Sequence, residues 1–512
     1  MPTTQPHRPL WFQNPADLAN FRRRLSDANF TDKGVLDQLG LKDLTQMRHM
    51  GREVLARLNE QTEPAALLVR LLLMGRPLPE ALAHAALGDL DPLMASGLLT
   101  REGSLVHANF QILPFLGLYL AVDKPRLARE HGEDLPEDFV MGIGGSTQTL
   151  ANVTVRRHAG TVLDMGTGCG VHALLAARHA DKVIACDINP RAVALTEFNA
   201  ALNGLTNIEA RQGDMFDPVR DDRFDLIVTN PPFVISPETK FIYRDSPLPD
   251  DEVVQHVIRS AAPLLKEGGY CQMLCNWCHL KGQDTRARVS AWFDGLSCDA
   301  WVHESGSPTA EEYALTWLGH TTPHELKSAD DAETSQRERL REWLAYYEER
   351  GIEGMSIGIV QFRRRAARRN WVHMDVAPEQ FTMVGPAGDH VERLFANCTF
   401  LNDTSDETLP QACLTAAPDA RLMQEFRPDG NEWTLDDCRV RLATGFAFYA
   451  TLDGYIAKLF TACNGHRTVG ELLTALARDL DHDETEVRTK GLSLIRGLIE
   501  RGFLLAPPAA AQ

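Results

Sequence analysis

Thr161-Val162-Leu163-Asp164-Met165-Gly166-Thr167-Gly168-Cys169-Gly170 is the stretch of this 512-residue chain on which its fold turns. Thr161, Val162 and Leu163 predict a strand that delivers an acid and then three alternating glycines. A helical run follows over 171–179. A second short strand, 182–186, ends in Asp187. A third, 208–210, leads to Gly213-Asp214, and a fourth, 224–229, delivers Asn230-Pro231-Pro232-Phe233. Strand, glycine turn, helix, strand, acid is the order of a nucleotide-binding α/β unit. Glycines let the backbone turn sharply off the strand and approach a ligand at a distance that a Cβ would forbid. An acid closing the second strand can accept hydrogen bonds from both hydroxyls of a ribose.

The spacing is Asp-x-Gly-x-Gly-x-Gly, not the dinucleotide Gly-x-Gly-x-x-Gly. An acid at its head would repel a pyrophosphate and suits a cationic ligand. With Asn-Pro-Pro-Phe after the fourth strand, the sequence resembles the class I S-adenosylmethionine-dependent methyltransferases. Within them it looks like the group acting on planar nitrogens, the release-factor glutamine methyltransferases and the small-domain rRNA and tRNA base methyltransferases. Asp187-Ile188-Asn189-Pro190-Arg191-Ala192, with Asn199, Asn203 and Gly204 downstream, carries the same resemblance. It covers about residues 141–377, under half of the chain, and reaches neither flank.

The resemblance implies an α/β, Rossmann-like class I core with a seven-stranded sheet, S-adenosyl-L-methionine as cofactor and no metal. It implies that Gly166, Thr167, Gly168 and Gly170 cradle the cofactor. Asp164 would orient the loop near the methionine end, Asp187 and Ile188 would lie at the ribose, and Asp214 and Met215 at the adenine, with Asp217 a competitor for Asp214. The segment from Gly142 to Thr149, with Gly145 and Thr147, is expected to fold over the methionine end. Asn230, Pro231, Pro232 and Phe233 would carry the reaction, Asn230 also touching the cofactor. A planar nitrogen is a poor nucleophile because its lone pair is delocalised. The Asn230 side-chain oxygen and the Pro231 carbonyl can each accept one N–H and steer that lone pair. Pro231 and Pro232 stiffen the turn, and Phe233 can stack on the flat group.

Hydrophobic content of 44% and charged content of 24% are those of an ordinary soluble protein. The length suggests about three domains. No apolar run approaches the ~20 residues of a membrane span. Met1–Leu10 lacks the apolar stretch of a signal peptide, so a cytoplasmic protein without a membrane partner is expected. The net charge of −18 argues against indiscriminate polyanion binding, although a local basic face can still take nucleic acid. The ten cysteines have no disulfide-like regularity, which points to reduced thiols. Cys275-Asn276-Trp277-Cys278-His279 has the spacing of a haem attachment site. It sits at the end of an apolar strand and is read as core thiols.

Residues 1–125 read as a helical N-terminal domain closing on two short strands, 98–100 and 105–108, in a winged-helix-like order. Residues 126–378 form the methyltransferase domain. Its further elements are expected as a strand at 270–276, a helix at 286–293, a strand at 298–303, a loop at 321–336 and a helix at 337–350. A final antiparallel pair at 354–363 and 370–376 closes it. Residues 379–419 read as a connector, and 420–512 as a winged-helix-like α+β C-terminal domain. Phe110–Val122 is expected to dock on the core, and Tyr243-Arg244-Asp245-Ser246 to form a substrate-side loop. Arg363-Arg364-Arg365, Arg368-Arg369 and Trp371 are either a basic hairpin edge for phosphate or a solvated turn that protects the sheet.

The activity expected is N-methylation of a macromolecule: first an exocyclic amine of an rRNA or tRNA base, second a protein glutamine on a translation factor. A small-molecule amine and a non-catalytic cofactor-binding regulator complete the alternatives. Phe233 leans toward the base enzymes, and the acidic net charge toward a protein.

Overall fold

The computed structural model describes residues 9–41, 52–124, 135–238, 244–245, 248–319, 329–376 and 383–507. Tyr243 and Ser246 of the expected substrate-side loop, residues 125–134 at the start of the expected methyltransferase domain, the first part of a helix expected over 44–61, and residues 320–328 lie outside these residues.

The centre is an eight-stranded sheet of β1 (Ala159–Met165), β2 (Ala180–Asp187), β3 (Ile208–Gln212), β4 (Phe224–Thr229), β5 (Leu265–Leu280), β6 (Cys298–Gly306), β7 (Ile352–Arg364) and β8 (Val372–Val376). Their order is β3-β2-β1-β4-β5-β7-β6-β8. β1 pairs in parallel with both β2 and β4, and β4 with β5. Val162, Leu163 and Met165 are all buried, so β1 is covered on both faces, as a central parallel strand must be. The chain winds outward from β1 in both directions. That leaves a crevice at the carboxyl ends of β1 and β4, where a doubly wound sheet binds its ligand. The glycine loop and Asn230-Phe233 both open into this crevice.

The sheet has eight strands where seven were expected, and its far side differs from the expected closing pair. β7 lies between β5 and β6 and is antiparallel to both, while β8 pairs in parallel with β6 at the edge. β7 is apolar and buried on both faces along most of its length, so it fits inside the sheet and not at its border. No basic hairpin edge results. Arg363 and Arg365 turn inward onto the fully buried Asp299, with Arg365 Nε at 2.6 Å and Arg363 Nη2 at 3.1 Å from Oδ2. Asn370 Nδ2 and the Trp371 N–H complete that carboxylate's shell.

Between β6 and β7 the chain inserts helices Ala310–Gly319 and Ala329–Glu349. The second begins well before the expected residue 337, so part of the expected loop is helical. Tyr313, Trp343 and Tyr347 are fully buried and form a separate apolar cluster with Val234 and Ile235, just beyond the Asn-Pro-Pro-Phe turn.

The N-terminal unit follows the expected helical order. Its helix Pro15–Asp27 starts on an Asn14 cap, and its last two strands, Leu99–Glu102 and Leu105–Ala108, pair antiparallel. A hairpin of Phe110–Phe115 and Leu118–Asp123 then docks on the core as expected. Asn199 exchanges hydrogen bonds with the Ala121 backbone at 2.7 and 2.9 Å, Asn203 does so with Tyr119, and Arg191 pairs with Asp123. These asparagines lie on helix Pro190–Asn203, capped by Asn189 and by Gly204 in the left-handed conformation.

The expected connector contains helix Gly388–Asp403, whose Val391, Leu394 and Phe395 are buried. Gly388 lies so close to Thr154 that a Cβ would sit 2.3 Å from its carbonyl oxygen. Behind it, strands Ala420–Asp429, Glu432–Leu442 and Tyr449–Thr451 and helices Gly454–Ala462, Val469–Leu480 and Glu484–Glu500 share one core with the central sheet. Trp301 meets Phe446 edge-to-face at 5.0 Å across that boundary.

Replacing Asp299 by alanine leaves two largely buried guanidinium groups without their common counter-charge. The expected loss is roughly 3 kcal/mol of unfolding free energy in urea titration.

Candidate functional site

The crevice holds a cavity of about 470 Å³, and its walls come from every segment that frames the switch point. After β1 the loop turns through Gly166, Gly168 and Gly170 at φ of +71°, +56° and +82°. These are values that side chains with a Cβ rarely adopt. The Gly166 and Thr167 amides are both anchored to the Cys186 carbonyl at 2.9 Å. Gly166 and Gly168 line the cavity, and a Cβ on either would meet nothing within 4 Å, so their open side faces that space. Gly170 has a different role. A Cβ there would strike Thr196 at 2.9 Å, so this glycine serves the packing of helix Pro190–Asn203 and does not line the cavity.

Asp164 lies behind the loop, fully buried, and not in the cavity wall. Its Oδ2 accepts from Thr167 Oγ at 2.7 Å and from the Ala173 N–H at 2.9 Å, while Oδ1 has no partner. Burial raises its pKa to about 7; the two hydrogen bonds oppose that rise without cancelling it.

Asp187 closes β2, half-buried, and accepts from the Gly168 and Asn189 amides at 2.9 Å each. Burial raises its pKa against those bonds. Ile188, Asp214 and Met215 line the same end. Asp217 instead faces solvent, paired with Arg220 at 3.0 Å.

The segment ahead of β1, expected to fold over the methionine end, enters helix Gly145–Val153, with Gly142 and Thr147 in the cavity wall and Gly145 exposed outside it. Asn230 donates its Nδ2 to Ser146 Oγ at 3.4 Å, which leaves its Oδ1 buried without a partner in the cavity wall. Pro232 lines the wall beside it. Pro231 and Phe233 do not, and Phe233 packs between the central core and the inserted helices.

Two contributions escaped the sequence reading, and a third comes from the expected substrate-side loop. Phe139, Val140 and Met141 add an apolar wall; they follow a connector, where the only signal was a short apolar run. His172 reaches the cavity from the first turn after the loop, buried, with Nε2 unpartnered and its pKa lowered by burial to about 4. Asp245, from the expected substrate-side loop, lines the end that holds Asn230 and Pro232, clasped by Arg244 through both carboxylate oxygens. Arg244 in turn donates to Glu238 at 2.7 Å. Burial raises the Glu238 pKa, but the hydrogen bonds from Arg339 and Arg244 outweigh it and hold the group low.

The raised pKa of Asp164 sets a pH dependence. A protonated Asp164 in the folded chain, against an unfolded value near 4, stabilises fully below about pH 4. That contribution is lost as pH rises through 7 and amounts to on the order of 3–4 kcal/mol. Urea midpoints of the wild type should therefore fall between pH 4.5 and 7.5 relative to those of Asp164→Asn, whose amide cannot ionise.

Residues 142–287 match the family described as Methyltransferase small domain. Residues 27–109 and 392–506 match families described as domains of unknown function. The chain is 32% identical over 132 residues to a release factor glutamine methyltransferase of Aliivibrio fischeri, spanning 23% of this chain and 45% of that protein. It is 29% identical over 197 residues to a ribosomal RNA small subunit methyltransferase C of Salmonella arizonae, spanning 38% of this chain and 54% of that one. The chain thus spans about half the length of these curated relatives. Among solved structures, a ribosomal protein L11 methylase from Lactobacillus delbrueckii aligns at 25% identity and a TM-score of 0.23, over 31% of this chain and 72% of that one. With the glycine loop and the strand order around β1, the family match makes residues 142–287 similar to a methyltransferase small domain.

Proposed function

We propose that the chain transfers a methyl group from S-adenosyl-L-methionine to a planar nitrogen of a macromolecule, first an exocyclic amine of an rRNA or tRNA base. The observation that carries this reading is the Asn230 Oδ1: a buried acceptor with no partner, in the wall of a cavity whose glycines leave room for a ligand. A buried polar atom costs about 1–3 kcal/mol while unsatisfied, so its partner is a group that arrives with the substrate.

The cavity fits the cofactor in size and in its donor set. Asp187 would take the ribose hydroxyls and Asp214, with the Met215 backbone, the adenine edge. Gly166 and Gly168 would allow close backbone approach, and Gly142 and Thr147 would border the methionine end. When bound, the cofactor supplies an electrophilic methyl group. The protein's own part is positioning. Asn230 Oδ1 accepts one N–H of the acceptor nitrogen from the cavity wall, and the Pro231 carbonyl, from a residue outside that wall, would take the other and help aim the lone pair. The two prolines hold those acceptors still, and Ser146 Oγ accepts from the Asn230 amide.

A second reading, transfer to a glutamine amide of a protein, is favoured by the state of the arginine cluster. Arg363 and Arg365 are engaged by Asp299, and no Lys or Arg is among the described residues lining the cavity. Tritiated methyl transfer into lysate of cells lacking the protein separates the two: label lost to RNase supports the base, label lost to protease the glutamine.

Asn230→Ala should cut transfer by at least 100-fold while cofactor affinity changes by no more than a few-fold. Asp187→Ala should do the reverse, weakening cofactor binding by about 10- to 100-fold for the loss of charged hydrogen bonds.

A further inference from the structure

The helix Ala329–Glu349 is not part of the sheet and contributes no residue to the cavity wall, yet a buried chain of charges runs from it to the acceptor end. Arg339 donates to Glu238 Oε1 at 2.6 Å, and Trp343 Nε1 donates to the same oxygen at 3.2 Å. Glu238 Oε2 receives Arg244 Nη2 at 2.7 Å, and Arg244 clasps Asp245. The Arg244 and Asp245 side chains are only 3% and 0% exposed, so their charges are held in low dielectric, where position is tightly enforced.

A second grip acts on the same segment. The Ile235 N–H donates to Tyr313 Oη at 3.1 Å, and Tyr347 Oη donates to the Ile235 carbonyl at 2.8 Å. Ile235 is only two residues past Phe233. Both inserted helices therefore fix the backbone that leaves the catalytic turn, and one of them also fixes the carboxylate bridged to Val234 beside it.

We propose that Arg339, Glu238 and Arg244 form a positioning chain through which the inserted helix holds Asp245 at the acceptor end. In this arrangement Asp245 selects acceptor groups that present a donor N–H beside the reacting nitrogen and rejects groups that bring phosphate or carboxylate there. This inference rests on the methyltransferase reading and extends it. Its charge is balanced by Arg244, so what the carboxylate brings to the cavity is acceptor oxygens, which suit a group that donates and offer nothing to a phosphate or carboxylate that can only accept. A bidentate arginine holds its two oxygens in one orientation. Arg339 reaches Asp245 by way of Glu238 and lies outside the cavity wall, so its replacement should alter transfer without touching the cofactor.

The test compares the wild type with Arg339→Met, Arg339→Lys, Glu238→Gln and Asp245→Asn, using tritiated S-adenosyl-L-methionine and lysate of cells lacking the protein as acceptor. Expected are a KM for S-adenosyl-L-methionine within 2-fold of wild type in all four, and rates at saturating cofactor lowered about 10-fold in Arg339→Met and about 100-fold in Asp245→Asn. Arg339→Lys should recover part of the loss. Glu238→Gln, which is isosteric, serves should Arg339→Met melt at a lower temperature than wild type. Wild-type rates in both Asp245→Asn and Glu238→Gln would overturn the inference and leave the methyltransferase reading intact. Rates that fall only in parallel with melting temperature and cofactor KM would overturn it in favour of a purely structural role. A wild-type protein that binds the cofactor and transfers no label would defeat the methyltransferase reading, and the inference with it.

Discussion

The Asp164 carboxylate beneath the glycine loop is the constraint on which the site depends. It sits at the end of β1, sealed from water, and ties the loop's Thr167 to the Ala173 amide in the next helix. Between those two anchors the chain passes two left-handed glycines, Gly168 and Gly170, and a third, Gly166, comes just before them, a conformation it would not keep unaided. The cost of burying that acid appears as its raised pKa, and the return is a loop with a single shape. The second anchor is the Cys186 carbonyl of β2, which takes the Gly166 and Thr167 amides and so sets the loop against Asp187. One acid is spent on architecture and the next is left half-open for a ligand.

Around this centre the flanking units act as walls and not as tethered modules. The N-terminal hairpin is sewn to helix Pro190–Asn203 by two asparagines, and Asn199 reaches on to the Cys169 carbonyl inside the glycine loop. A change in how the N-terminal unit sits would thus reach the loop through a single side chain. On the other side, Gly388 against Thr154 and Trp301 against Phe446 fuse the C-terminal unit to the sheet. The inserted helices add a third wall over the Asn230–Phe233 turn. It is braced from behind by Tyr313 and Tyr347, while Asn230 Oδ1 is left without a partner.

Much of the site was legible because it is local. Asp-x-Gly-x-Gly-x-Gly, the acid ending β2, Gly213-Asp214 and Asn-Pro-Pro-Phe are each complete within a few residues, and the structure gathers them around one crevice. Within those motifs the placements divided in ways that spacing does not reveal. Gly166 and Gly168 face the cavity and Gly170 faces Thr196, although all three have positive φ. Gly145 and Thr147 are two positions apart, yet both lie on helix Gly145–Val153, which turns one outward and the other inward.

What the sequence determined by itself was the alternation of strands and helices, the acids and glycines at strand ends, and hence the family of the core, because periodicity and turn chemistry act over a few residues. What only the tertiary structure decided was long-range. The placement of β7 inside the sheet, the burial of Arg363 and Arg365 on Asp299, and the chain from Arg339 to Asp245 each join residues tens of positions apart. No local pattern distinguishes an arginine that meets solvent from one that meets a buried carboxylate. That choice is made by which strand arrives alongside, and it is a property of the packed sheet alone.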